Sequence, residues 1–269
     1  MVIQHNIAAI NSYRNLSTNQ SALSKKLEKL SSGYKINRAG DDAAGLAISE
    51  SMRSQINGLN QAVSNANDGV GLIQTAEGAL TETHSMLQRL KTLSTQAANG
   101  TYTTTARENI KAEVDALTQE IDRISTSTTF NGVSPLAGGK NMTFQIGATA
   151  TETLNLATQD MSSTALQIKD MKVSTTAEAN ASMKKIDDAI DTVSTYRAKL
   201  GAAQNRMEHT INNLKVTSEN VTAAESRIRD TDMADEMTSY TKNNILMQAA
   251  QSMLAQSNSM PQGVLNMLQ

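Results

Sequence analysis

Apolar side chains fall at Met52, Ile56, Leu59, Val63, Ala66, Val70 and Ile73, so steps of four and three residues alternate. That spacing averages about 3.5 residues, the period of a coiled-coil seam. It predicts a long helix from near Asp42 to about Ala98. The stripe resumes at Leu80, Leu87, Leu90 and Leu93 after Glu77 and His84 interrupt it, and Asn99-Gly100 supplies a stop. At ~1.5 Å per residue this helix is about 80 Å long, and such a rod needs partners along its whole length. A second helix is expected to open with the capping box Thr105-Ala106-Arg107-Glu108 and to end near Ile124. Ile110, Val114, Leu117, Ile121 and Ile124 make its apolar face.

The pattern changes at Ser125. Asn131-Gly132 and Gly138-Gly139 are turn signals, Thr143-Phe144-Gln145-Ile146 alternates like a half-buried strand, and Leu154 with Leu156 suggests another. Residues 130–170 therefore read as a small β-hairpin region attached to the helices. A third helix opens at the capping box Thr175-Thr176-Ala177-Glu178. Ile186, Ile190, Val193, Leu200, Met207, Ile211, Leu214, Val221 and Ile228 keep the same rhythm, interrupted by Arg197, Gln204, Ser218 and Glu225. Polar seam residues cost stability but can fix register. The expected fold is mainly α: an elongated antiparallel coiled-coil helical bundle with a small β-hairpin region and paired N- and C-terminal helices.

Composition agrees with thin rods better than with a thick core. Aromatics are 3% of the 269 residues, with no Trp, two Phe and five Tyr. Pro135 and Pro261 are the only prolines, which leaves long stretches free to be helical. A net charge of -2 gives no electrostatic reason to expect nucleic acid. The absence of cysteine removes disulfides, Cys-ligated metals and thiol chemistry. No apolar run approaches the roughly 18 residues needed to span a bilayer, so no membrane insertion is expected. The start MVIQHNIAAINSYRN has neither the basic opening nor the apolar run of a secretory leader, which by itself points to the cytoplasm.

Charge is divided between the ends. Residues 1–40 hold six cations against Glu28, a net +5, whereas residues 230–269 hold four acids against Lys242, a net -3. Opposite charge favours pairing of the terminal helices, although exposed pairs contribute only roughly 0.2–1 kcal/mol each. From Asn243 onward no side chain is charged, and Ile245, Leu246, Ala249, Ala250, Met253 and Leu254 recur at helical spacing. A lone monomer offers that tail little to bury against, so it is expected to fray in solution and order on assembly. Met233, Met237, Met247, Met253, Met260 and Met267 crowd the same helix, as either a partner surface or ordinary packing.

Candidate chemistry is sparse. His5, His84 and His209 belong to no HExxH motif, and no Walker loop, GxGxxG or GxSxG elbow occurs. His84 and His209 could face each other across antiparallel helices, but exposed or seam-edge histidines are the favoured reading. Asp41-Asp42 is explained by helix capping. No cofactor, metal or catalytic site is expected. Asn99-Gly100-Thr101 reads as a chance sequon, and the Ser/Thr stretches at 125–129 and 162–164 as solvated loops before O-glycosylation sites.

Three segments carry a resemblance. LSSGYKINRAGDDAAGLAIS (residues 30–49) alone is a helix-to-helix connection whose small residues suit close packing. Together with RIRDTDMAD (227–235) and MLAQSNSMPQGVLNML (253–268), it closely resembles the terminal signatures of bacterial flagellin, in a short form lacking the hypervariable outer domains. The likeness covers nearly the whole chain except about residues 135–180, and Met171 to Ala181 crosses directly the gap where outer domains are inserted. The resemblance implies a structural subunit that polymerises into the flagellar filament for swimming, not an enzyme. It implies an extracellular location in that filament, reached by type III export without a cleaved signal, and a thin, smooth filament.

Residues 1–40 with 231–269 would form a discontinuous inner-core domain, and 41–230 a helical bundle domain. Implied partners are further copies of the chain, a flagellin export chaperone, the filament cap and the hook-associated junction proteins. Host Toll-like receptor five is implied as well. LQRLKTLSTQAAN (87–99) is similar to the segment that receptor recognises in flagellins. Arg89 and Leu93 there, with Glu113 in IKAEV, match positions of receptor recognition and protofilament contact. Lys91-Thr92 stands where Arg-Glu is common, and Ser94 where Ala is common. Ile245, Leu246, Met253, Leu254, Val264 and Leu265 would form the terminal-helix assembly and chaperone surface. Alternatives are a hook–filament junction protein, with similar terminal helices, and a secreted coiled-coil effector.

Overall fold

The structure, a computed structural model, describes residues 5–267 and the side chains of residues 5–263. Its elements are α1 (Ile7–Ser32), α2 (Ala43–Ala97), α3 (Thr104–Ser127), β1 (Asn141–Gln145), β2 (Thr153–Ala157), α4 (Thr176–Arg229) and α5 (Met233–Met267). The strands form a small antiparallel sheet with Phe144 opposite Leu154 and Met142 opposite Leu156. The chain divides into two compact units, residues 57–219 and residues 1–56 with 220–269.

In the unit of residues 57–219, α2 buries Leu59, Ala62, Ala66, Gly69, Leu72, Ile73, Ala76, Leu80, Thr83, Leu87, Leu90, Leu93, Ser94 and Ala97. Leu72 and Leu93 aside, these alternate by three and four, which is a heptad seam, and at 62, 69, 76 and 83 it runs one residue before the position that the large apolar side chains and their interruptions mark. Val63 and Val70 lie half-buried beside the seam, and Ala62 and Gly69 lie within it. The reason is steric. A Cβ on Gly69 would stand 2.9 Å from Met207 Cε, 3.0 Å from its Sδ and 3.2 Å from Phe144 Cδ1. The position of closest approach thus takes the smallest side chain, which carries no hydrophobic signal.

α4 repeats the arrangement. Ala189, Tyr196 and Ala203 are buried, while Ile190, Arg197 and Gln204 flank the seam. Arg197 pairs with Glu77 at 3.5 Å, and Ser218 Oγ donates to Asn60 Oδ1 at 3.2 Å, so two expected interruptions meet polar partners on α2. Gln204 bonds instead to Glu208 on its own helix. Tyr196 is buried and donates to the Pro135 carbonyl at 3.4 Å, and its burial raises the phenol pKa.

The capping box at Thr175 is present: Glu178 N–H donates to Thr175 Oγ1 at 3.2 Å, and Thr175 N–H to Glu178 Oε2 at 3.0 Å. The one expected at Thr105 is not. α3 is capped by Thr103, whose hydroxyl accepts from Ala106 N–H at 3.3 Å. On α3 the buried positions are Ile110, Val114, Thr118, Ile121 and Ser125, with Leu117 and Ile124 only half-buried. Thr118 and Ser125 tolerate burial because their hydroxyls bond the Val114 and Leu136 carbonyls. Asn131 (φ 49°) and Gly132 (φ 78°) form a left-handed turn inside the Phe130–Val133 bridge, as the dipeptide predicts.

In the unit of residues 1–56 and 220–269, α1 ends at Gly33 (φ 75°), whose N–H reaches the Lys29 carbonyl. Its C-terminal neighbour Tyr34 bridges to Asp230, and Thr231 N–H donates to the Gly33 carbonyl at 3.0 Å. The Tyr34 ring lies 5.4 Å from the Arg53 guanidinium carbon and 4.8 Å from that of Arg229. Glu225 pairs with Arg53 at 3.4 Å and Glu50 with Arg229 at 2.6 Å. Asp42 caps α2 through Gly45 N–H at 2.9 Å. Asp41 accepts the N–H groups of Asn37 and Arg38, and those bonds, Arg38's foremost, hold its carboxyl below the ordinary 3.8.

Candidate functional site

Two surfaces carry the residues singled out from the sequence. The first is the flank of α2 between Leu87 and Ala97, beside α3. Leu87, Leu90, Leu93 and Ala97 point into the core, which leaves Gln88, Arg89, Lys91, Thr92, Thr95 and Gln96 in solvent. Arg89 reaches Glu113 on α3, with Nε 2.8 Å and Nη2 2.7 Å from the same Oε1. The pair stays about half exposed, at 53% and 44%, so it remains accessible to a partner. Leu93 is only 2% exposed and supports that surface from beneath.

The residues at 91 and 94 have visible consequences. Lys91 pairs with Asp187 of α4 at 2.6 Å. Ser94 is fully buried, and its hydroxyl finds no hydrogen-bond partner. An alanine there would fill the same space without an orphaned polar group.

The second surface is the pairing of α1 with α5. Asn6 Nδ2 donates to the Ser257 carbonyl at 2.8 Å, Asn19 Nδ2 to that of Leu246 at 3.5 Å, and Lys26 pairs with Glu236 at 3.2 Å. Rising numbers on one helix meet falling numbers on the other, so the two are antiparallel. No α1 residue is fully buried. Ile7, Ile10 and Tyr13 on α1, and Ile245, Leu246, Met253 and Met260 on α5, are all exposed, while Leu254 is half-buried. The side chains of Val264 and Leu265 lie outside the described residues. Lys26–Glu236 is the one ion pair joining α1 to α5 among the described residues, so most of the opposite charge at the two ends acts over longer range.

The histidines do not converge. Glu77–Arg197 and Lys91–Asp187 fix the α2–α4 register, and in it His84 lies opposite residues near 192, not His209. The offset is some 17 residues, about 25 Å along the helix. His84 instead lies 3.0 Å from Gln88 Nε2. Among the described residues no group of His, Asp or Glu could hold a metal ion, and no helix is long and apolar enough to cross a membrane.

The small-residue half of the seam and the Tyr34 cluster were missed in the sequence. The only signal for the former was Ala, Gly and Thr recurring every seventh residue at 62, 69, 76 and 83.

Comparison with known proteins places these surfaces in context. Residues 3–141 match the bacterial flagellin N-terminal helical region, and residues 183–268 the bacterial flagellin C-terminal helical region. Flagellin of Bacillus subtilis (strain 168) is 53% identical over 303 aligned positions, covering 100% of both chains. Flagellin of Halalkalibacterium halodurans is 50% identical over 273 positions, again covering 100% of both, so this chain has the length of a short form without an inserted outer domain. The crystal structure of Bacillus cereus flagellin aligns with a TM-score of 0.52 at 32% identity, covering 60% of this chain and 94% of that one. With both terminal regions matched and half its residues shared end to end with such relatives, the chain belongs to the bacterial flagellins and is a structural subunit of the flagellar filament, not an enzyme.

Proposed function

We propose that α1 and α5 form the inner core of the filament and the helices of residues 41–230 the surrounding tube, with the β-hairpin at an intersubunit contact. The observation that carries this reading is the exposed apolar surface of the terminal helices. Ile7 is 64% exposed, Tyr13 65%, Ile245 61% and Met253 62%, on helices whose pairing with each other leaves these side chains uncovered. Each such side chain gains roughly 1.5–3 kcal/mol on full burial, so packing against neighbouring copies drives polymerisation. Before assembly the same surface, with Val264 and Leu265, is held by an export chaperone. The subunit leaves through the flagellar type III channel, and it meets the cap and the hook-associated junction proteins at the filament ends. The Arg89–Glu113 surface above Leu93 makes protofilament contacts and, in the free monomer, is recognised by host Toll-like receptor five.

Filament seeds added to purified monomer test the reading by electron microscopy, beside a version lacking residues 1–40 and 231–269. Long, thin filaments from the intact chain alone are expected, with a gain in helical circular dichroism as α5 is ordered on assembly. Failure of the intact chain to elongate, or elongation of the truncated one, would refute this role of the terminal helices. Filaments with no gain in helix would refute the ordering of α5.

A further inference from the structure

A groove of about 820 Å³ runs beside α1 within the unit of residues 1–56 and 220–269. Ile48 and Ile228 contribute to an apolar floor, and Lys25, Lys29, Lys35 and Arg227 to a basic rim. None of these four cations is in an ion pair among the described residues. Asp41 and Asp42 also line the groove and keep their negative charge, with Lys29 and Lys25 acting on Asp41, but the lining cations, Lys26 among them, outnumber the two carboxylates, so the net charge there is positive. Ile48 is 49% exposed, unusual for an isoleucine beside a cleft.

The first turns of α5 present the converse surface. Met233 and Met237, one helical turn apart, are 48% and 50% exposed. Asp230, Asp232 and Asp235 flank them, all exposed. Within the subunit this acidic segment is held at the end of α1 by the Lys26–Glu236 pair, the Tyr34–Asp230 bridge and the Thr231–Gly33 hydrogen bond, and the two methionines stay half exposed beside these contacts. An apolar knob ringed by acid is complementary to an apolar groove ringed by base, in shape class and in sign.

We propose that the groove receives the Met233–Met237 knob of a second copy of this chain, a deepening that rests on the filament reading above. With each copy's knob seated in the groove of the next copy, and not exchanged reciprocally between two, the contact is heterologous. Repeated from copy to copy it runs head to tail and produces an open polymer, as a filament requires. The thioether side chains adapt to the groove floor, and the carboxylates place the register.

The chain has no cysteine, so paired substitutions report the contact cleanly. Filaments grown from Ile48→Cys/Met237→Cys and oxidised should give a ladder of covalent multimers well beyond dimer on a denaturing gel. Separately, Lys29→Glu and Asp235→Lys should each slow seeded elongation at least tenfold at low salt. The Lys29→Glu/Asp235→Lys double variant should restore elongation, because both surfaces are inverted together. Filaments without cross-links, cross-links confined to one chain, or covalent dimers with no larger species would overturn the proposal while leaving the filament reading intact. So would full-rate elongation of both single variants. An unmodified chain that never elongates would instead remove the filament reading and this contact with it.

Discussion

Gly69 offers a sharp test of which residues form the seam of α2. Replacing a glycine by alanine inside a helix gains about 0.8–1.0 kcal/mol of backbone preference, partly through the unfolded chain. At Gly78, on the same helix, a Cβ would meet nothing within 4 Å, so Gly78→Ala should show that gain undiminished. At Gly69 the new carbon would lie 2.9 Å from Met207 Cε and 3.2 Å from Phe144 Cδ1. Met207 is completely buried and has no solvent to swing into. Overpacking of this kind costs typically about 1–3 kcal/mol, which turns the gain into a net change between roughly zero and a 2 kcal/mol loss. Urea unfolding followed by circular dichroism reads the difference. At a slope of about 2 kcal/mol/M, a 2 kcal/mol gap separates the two midpoints by about 1 M. The apolar periodicity alone puts residue 69 outside the seam and predicts equal midpoints. Equal stabilisation by the two alanines would therefore refute the close approach described here.

Other expectations follow from single contacts. Ser94→Ala should stabilise the monomer by about 1 kcal/mol, because it removes a buried hydroxyl without a partner, and the thermal midpoint reports it. Arg89→Ala breaks a half-exposed ion pair and should change stability by less than about 1 kcal/mol, while reducing receptor signalling and seeded elongation markedly. A large loss of stability would show the residue to be structural instead. Tyr196 has its pKa raised by burial, so its contribution is intact below the ordinary 10.0 and is lost as pH rises through the folded value. Unfolding midpoints measured from pH 8 upward should fall more steeply for the parent chain than for Tyr196→Phe. Parallel slopes would show that the buried phenol does not drive the alkaline loss.

Much of this architecture is written in the chain. Leu59, Ile73, Leu80 and Leu87 mark one half of the α2 seam by their size and period, and the reciprocal box of Thr175 and Glu178 marks the start of α4. Both are local: a helix shows its large apolar side chains every seven residues, and a cap needs only three more residues to close. The terminal helices were legible in the same way, from charge of opposite sign and from an uncharged apolar tail.

What the sequence could not show is where backbones come closest. Ala62, Gly69, Ala76 and Thr83 have little apolar surface, and at Gly69 it is Met207 of α4 and Phe144 of the hairpin that stand where a longer side chain would project. Leu93 lies in the core as its place in the apolar stripe predicts, and the accessible part of that site is an ion pair joining residues 24 apart. The α2–α4 register likewise rests on Glu77 with Arg197 and Asn60 with Ser218, pairs more than 100 residues apart. Hydrophobic period determines which elements form, because it depends on each helix alone. Burial of small residues and pairing of distant charges depend on a neighbour's position, and only the tertiary structure supplies that.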